Sequence, residues 1–235
     1  MAINGHAAEP FRLPAQDEHI AVVGRNGSGK TMLGAFLLAM QDLTKQTWLI
    51  LDYKGEEIFH GLERARHIGF SDVPDEPGVY VLSSRPDLEE ATERWLWRIW
   101  EHERVGLLVD EAYMLPNMVK GAYQAILTQG RSKRIPVITL TQRPVRVSPF
   151  AFSEASHVAV FDLNSKADRK TVEDRTGEGF MTWRPPGFTD ERLPRFHSRW
   201  YSVKSDSRYI VRPVPVAKEI VRRIDAQLPP KRTWL

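Results

Sequence analysis

The 235-residue chain has no cysteine, which excludes disulfides and cysteine-ligated zinc and fits an intracellular place of action. No apolar run approaches the roughly 18 residues that a membrane-spanning helix needs. The N-terminus has no signal-peptide core, so membrane insertion by this chain is not expected. Net charge is also scarce, at +3, but it is unevenly distributed. Residues 1–110 hold 11 basic and 18 acidic side chains, a net of −7, whereas residues 111–235 hold 22 and 12, a net of +10. A basic second half suits a surface facing a polyanion, although a solvated face without a partner has the same composition. The 42% apolar and 27% charged content is that of a globular protein, long enough for one large α/β domain.

Against this background one segment stands out. Gly24-Arg25-Asn26-Gly27-Ser28-Gly29-Lys30-Thr31 matches the phosphate-binding loop G-x-x-x-x-G-K-T at every position. The apolar run Ile20–Val23 precedes it and a helical pattern, Met32 to Met40, follows. Strand, glycine loop and helix together make the site: backbone N–H groups of residues 24–32 curl around a phosphate chain, and the helix N-terminus adds partial positive charge. In this context Lys30 reaches the β- and γ-phosphates of a nucleoside triphosphate such as ATP, Thr31 ligates Mg²⁺, and Met32 closes the binding segment. A chance glycine turn before a lysine would not bring the flanking strand and helix with it.

The rest of the first 161 residues alternates apolar runs with helical patterns. Strands are expected at Thr47–Asp52, Val79–Leu82, Val105–Val109, Ile135–Thr141 and His157–Phe161, and helices at 56–66, 87–104 and 119–131. Asp87 and Glu90 have capping-box spacing, and Leu88, Trp95 and Ile99 form the core-facing stripe of that helix; Trp97 and Trp100 lie off it, partly buried. Strands that are apolar throughout imply a mostly parallel sheet with helices on both faces. Residues 1–17 read as an irregular lead-in. Residues 177–235 read as a small β-addition, Ser198–Val203 and Tyr209–Val214, with a final helix at 216–227. The expectation is one α/β domain across residues 1–235.

Two further signals narrow the chemistry. Val105–Val109 runs into Asp110-Glu111, an apolar strand ending in acids. Asp110 at such a position holds the Mg²⁺ shell opposite Lys30 and Thr31. The second carboxylate, Glu111, orients and deprotonates an attacking water, which a hydrolase needs and a switch or kinase does not. Gln142 ends the next strand, and a parallel sheet delivers all its strand C-termini to one edge, so this amide can meet the γ-phosphate or the lytic water. Arg131, just before that strand, is a candidate to stabilise γ-phosphate charge from across a subunit boundary, with Arg134 and Arg143 competing for the role.

From residue 18 to 175 the chain resembles the FtsK–HerA superfamily of P-loop motor ATPases, ring-forming pumps of double-stranded DNA with a RecA-like (ASCE) core. Asp52-Tyr53-Lys54-Gly55-Glu56 is similar to the segment ending the second strand in these proteins. Gly130-Arg131 through Thr141-Gln142-Arg143-Pro144 is similar to their stretch from arginine finger to sensor glutamine, and Ser165–Arg169 to a Ser-Lys-x-Asp-x-Arg segment. The resemblance implies ATP and Mg²⁺ as cofactors. It also implies that Lys30 and Thr31 bind phosphate and metal, Asp110 organises the metal, Glu111 activates water, Gln142 senses and Arg131 acts in trans.

Within the superfamily the chain looks most like the genome-packaging ATPases of tailless, membrane-containing double-stranded DNA viruses, because it has no membrane helices, winged-helix domain, helical insertion or N-terminal barrel. That branch implies a homo-oligomeric ring on duplex DNA, docked on capsid vertex proteins, in host cytoplasm or virion. Arg143 and Arg146 in the loop 143–150, and Lys120 in the segment 112–120, are candidates for sequence-independent phosphate contacts. The competing expectations are an assembly or export ATPase acting on single-stranded DNA, and a nucleotide-regulated assembly protein. Residues 177–235, with Trp183, Trp200 and Trp234, have no assigned role.

Overall fold

The computed structural model describes residues 2–4, 11–115, 121–188 and 193–230. Its strands are Ala2–Asn4 (β1), Ile20–Val23 (β2), Thr47–Asp52 (β3), Arg66–His67 (β4), Gly78–Ser83 (β5), Val105–Val109 (β6), Val137–Thr141 (β7), His157–Val160 (β8), Ser198–Ser202 (β9) and Ser207–Val211 (β10). Its α-helices are Lys30–Ala39 (α1), Glu57–His60 (α2), Glu89–His102 (α3), Ala122–Lys133 (α4), Phe150–Ser153 (α5), Lys166–Thr176 (α6) and Ala217–Gln227 (α7). None of these helices is long and apolar enough to cross a membrane.

All ten strands join one sheet in the order β1-β10-β9-β8-β2-β7-β6-β3-β5-β4. From β8 to β4 every pairing is parallel, and β9, β10 and β1 extend the β8 side antiparallel. Each central strand is apolar on both sides because each side meets its own helix layer. Alternate residues divide accordingly. Ala21, Val23, Leu49, Leu51, Leu107 and Val109 pack towards α3 and α4, through Trp95, Ile99 and Ile126. Ile20, Val22, Trp48, Ile50 and Leu108 pack towards α1 and α7, through Leu37, Leu38, Ile220 and Ile224. The expected mostly parallel α/β sheet and its C-terminal β-addition are both present.

Several local expectations are corrected. The lead-in is not wholly irregular, since β1 pairs with β10. The helix expected over 56–66 stops after one turn, at Gly61, because the Asp225 carboxylate of α7 accepts the backbone N–H groups of Glu63 and Arg64 (3.1 and 3.0 Å). The freed chain then forms β4 against β5. Asp87 makes no capping bond: its carboxylate pairs with Arg85 at 2.9 Å, residues 86–88 form a 3₁₀ turn, and the helix starts at Glu89. Leu88 is only partly buried, so Thr92, Trp95, Leu96 and Ile99 make the buried stripe, while Trp97 and Trp100 are partly buried. The connection after Gln142 is also more ordered than a simple loop, with a 3₁₀ turn at 144–146 followed by α5.

Candidate active site

The phosphate loop is tied to both neighbours of β2. Gly24 N–H donates to the carbonyl of Thr141, the last residue of β7 (3.1 Å), and Arg25 N–H donates to the Asp162 carbonyl after β8 (3.3 Å). Gly27 and Gly29 have φ of 70° and 102°, left-handed values that a side chain resists. Their conformation lets the loop turn and feed directly into α1, whose first residue is Lys30. Lys30 is buried, whereas Arg25, Asn26 and Gly27 face solvent and Ser28, Thr31 and Met32 are half-buried.

β7 lies between β2 and β6, so the ends of three adjacent parallel strands meet at one edge. This edge brings Lys30 and Glu111 together: Lys30 Nζ lies 2.8 Å from Glu111 Oε1. Lys54, at the end of β3, makes a second ion pair with the same carboxylate oxygen. Glu111 is fully buried and has left-handed backbone, φ 53° and ψ 52°, where the chain turns off β6 into a 3₁₀ turn. Partial burial works against the charge on Lys54, yet its hydrogen bond and attraction to Glu111 prevail and raise its pKa.

Asp110 is buried beside them, with neither carboxylate oxygen hydrogen-bonded to any described residue. Burial pushes its pKa up to about 7; Lys30 opposes the rise, and the carboxylates of Glu111, Glu56 and Asp52 add to it. Such a group calls for a cation or a proton. Asp52, by contrast, is satisfied by the backbone N–H groups of Lys54, Gly55 and Glu56, at 2.9–3.0 Å. It therefore acts as a structural clasp that aims Lys54 at Glu111.

Gln142 ends β7 at the same edge, and its Nε2 donates to the Tyr113 hydroxyl at 3.0 Å. Tyr113 belongs to the turn directly after Glu111, so the amide joins the β7 end to the β6 end. Arg143 is exposed, with Nε 3.7 Å from Asp168 Oδ2, and Asp168 Oδ1 accepts from Val145 N–H at 3.3 Å. Arg146 is exposed on the same connection. Lys120 lies outside the described residues.

Arg131 is not brought to this group. It sits on α4 beside the N-terminal ends of the strands, donating from Nη2 to Ser156 Oγ (2.7 Å) just before β8. There it adds to the burial that holds His19 down at a pKa of about 4. The phosphate loop is on the opposite edge, so Arg131 cannot reach the phosphates of its own chain. Arg134, also exposed, closes α4 in left-handed conformation with φ 56°.

Sequence reasoning missed the tie that Lys54 and Tyr113 make to Glu111 and Gln142. In the sequence Lys54 stands out only as part of a family-like segment, because its partner is 57 positions away. The β3–β6 pairing that joins them has no local signature.

No family model matches the chain. It is 36% identical over 230 residues to the DNA packaging ATPase P9 of Enterobacteria phage PRD1, covering 95% of this chain and 99% of that protein. The chain belongs to this family of DNA-packaging ATPases. The fold agrees with that of the genome packaging NTPase B204 from Sulfolobus turreted icosahedral virus 2. In complex with sulfate, B204 superposes with a TM-score of 0.68 at 20% identity, over 86% of this chain and 99% of that one. EssC ATPases 2 and 3 from Geobacillus thermodenitrificans share the fold more distantly, with a TM-score of 0.58 at 13% identity over 90% of this chain and 44% of that one. This packaging ATPase thus has the fold of a P-loop ATPase.

Proposed function

We propose that this packaging ATPase hydrolyses ATP to drive double-stranded DNA into a preformed capsid, working as a homo-oligomeric ring at a capsid vertex in the host cytoplasm or virion. The observation that carries the reading is the meeting of Lys30 and Glu111, 2.8 Å apart, at the edge where the phosphate loop ends β2. The loop N–H groups and Lys30 bind the triphosphate. As its negative charge arrives, Lys30 turns from Glu111 to phosphate and leaves that carboxylate free to act as base. Glu111 then takes a proton from water, the oxygen attacks the γ-phosphorus, and the bond to the β,γ-bridging oxygen breaks to give ADP and phosphate.

Asp110 and Thr31 fit Mg²⁺, because the Asp110 oxygens are buried without hydrogen-bond partners among the described residues and feel the carboxylates of Glu111, Glu56 and Asp52 as well as Lys30. The ion would supply charge neutralisation at the β- and γ-phosphates. Gln142, tied to Tyr113, links the γ-phosphate position to the connection bearing Arg143 and Arg146, which contact duplex DNA through phosphates. Arg131 serves a neighbouring subunit, in keeping with its place on the opposite edge.

The test is hydrolysis with and without duplex DNA across a salt series, for the native protein and Glu111→Gln. Stimulation by duplex DNA that weakens with salt and disappears in the variant supports the motor. Hydrolysis indifferent to DNA at every salt concentration would count against it and favour a nucleotide-regulated assembly protein.

A further inference from the structure

At the sheet edge that carries the phosphate loop, three arginines gather beyond β8. Arg199 is the second residue of β9 and lies opposite Val160, the last residue of β8. Val160 packs in the core layer that holds Val172 of α6 and Phe180, and Arg199 shares that face. Short turns over 177–183 bring the Trp183 carbonyl to it. This oxygen accepts from Arg199 Nε (3.4 Å) and from Arg184 Nη1 (2.9 Å), so two guanidinium groups share one acceptor. Arg169, in the first turn of α6, is held by the Leu163 carbonyl, which accepts from its Nε at 2.7 Å.

Arg199 is only 3% exposed. A charge at that depth calls for a partner, yet none of the ion pairs among the described residues includes Arg199 or Arg169. Two acids in the same neighbourhood are otherwise placed. Glu173 accepts the Met181 N–H at 3.3 Å, and Asp162 attracts Arg199 from the exposed turn after β8 without pairing with it. Burial lowers the pKa of Arg199 to about 10; Arg184 adds to the fall, Asp162 opposes it and Arg169 adds again. An anion among the three arginines would relieve this. Planar guanidinium donors anchored on carbonyls match the oxygens of a phosphate group.

The position favours a phosphate from outside the chain's own hydrolytic site. Glu111 and Gln142 lie on the β6–β7 side of the phosphate loop, whereas Arg199 lies on the β8–β9 side. The first turn of α6 also joins the cluster to the connection bearing Arg143 and Arg146. Asp168 Oδ1 accepts from Val145 N–H there (3.3 Å), and Arg169 is the next residue. Three strand spacings, roughly 14 Å, separate β7 from β9, close to the roughly 12 Å width of the major groove of duplex DNA. We propose that Arg199, Arg184 and Arg169 form a phosphate site for the backbone of duplex DNA, separate from the 143–150 connection and engaged by the same duplex. The inference rests on the DNA-translocating function proposed above and extends it to a second contact site. It gives the turns around Trp183 and the start of β9 a role.

The experiment measures the Kd of the full chain for mixed-sequence duplex DNA across a salt series, and its Kd for ATP, in the native protein, Arg199→Gln and Arg169→Gln. Each variant should bind duplex DNA about tenfold more weakly at low salt, whatever the sequence. The slope of log Kd against log salt should fall by about one in each, the mark of one lost phosphate contact that a merely structural role would not leave. ATP should bind as before, and Arg199→Gln should melt no lower than the native protein, because it loses a buried charge without a partner. If Arg199→Gln melts lower, Arg169→Gln, changed at an exposed residue, decides by its slope. Native DNA affinity and slope in both variants would overturn the site while leaving the motor reading intact. Weakened ATP binding with native DNA binding would also overturn it, assigning the arginines to the nucleotide. A native protein that does not bind duplex DNA even at low salt would instead sink the motor reading, and this inference with it.

Discussion

Asp110 and Glu111 are adjacent, equally buried acids, yet their surroundings give them different states. Glu111 has two lysines on one oxygen, whereas the Asp110 carboxylate has no hydrogen-bond partner among the described residues and a pKa raised by burial to about 7. Below pH 3.8 the Asp110 carboxyl is protonated whether the chain is folded or not. Between 3.8 and about 7 the folded state keeps a proton that the unfolded state has lost, so its contribution to stability is lost as pH rises. A gap of this size is on the order of 4 kcal/mol. Asp110→Asn should accordingly raise the Tm of nucleotide-free protein at pH 8, with the gain shrinking towards pH 4. An equal or lower Tm at pH 8 would refute the uncompensated carboxylate. Lys54 gives a second prediction. Without it Glu111 loses the partner that stays when Lys30 turns to phosphate, and a misplaced base costs about 10²-fold in rate. Lys54→Ala should lower kcat by about that factor with KM little changed, whereas Lys30→Ala should abolish binding. A change in KM alone would make Lys54 a phosphate ligand.

At the scale of elements, the buried parallel strands were legible because both faces must be apolar: β2 and β6 are uninterrupted runs, and β3, β7 and β8 are largely apolar. Elements decided by distant partners were not legible. Residues 61–66 have helical composition, but Asp225, some 160 positions away, takes their N–H groups. The site divides in the same way. Lys30 and Thr31 can be singled out from a local loop motif, and Asp110 and Gln142 because each follows a strand, while the tie of Lys54 to Glu111 depends on which segments become neighbours. Gly106 shows how tight that packing is. A Cβ on this β6 residue would come within 2.3 Å of the Trp48 ring on β3, and Trp48 is itself fully buried. Gly106→Ala should therefore destabilise the fold by about 3 kcal/mol or more, seen as a lower denaturation midpoint at unchanged slope. A loss below about 0.5 kcal/mol would mean that the ring can move aside.

For the whole molecule, the sheet places its two sets of functional groups on opposite edges. Lys30, Glu111 and Gln142 gather where the parallel strands end, and Arg131 is held where they begin, bonded to Ser156. One chain cannot bring these edges together without breaking β2, so a catalytic use of Arg131 requires a second copy of the chain arranged head to tail, the arrangement that closes into rings. This geometry makes a prediction that a structural role would not share. Arg131→Ala leaves a chain with an intact phosphate site but no arginine to offer its neighbour, and Glu111→Gln leaves the arginine beside a dead site. Each variant alone should hydrolyse ATP at least 10²-fold more slowly than the native protein. Mixed in equal amounts they should recover a substantial part of the native rate, because an Arg131→Ala subunit next to a Glu111→Gln subunit has its own glutamate and its neighbour's arginine. The recovered activity should peak at intermediate mixing ratios and fall off towards either pure variant. If the mixture is no more active than the sum of its parts, although both variants assemble, Arg131 does not act between subunits and serves only to pin α4 to β8.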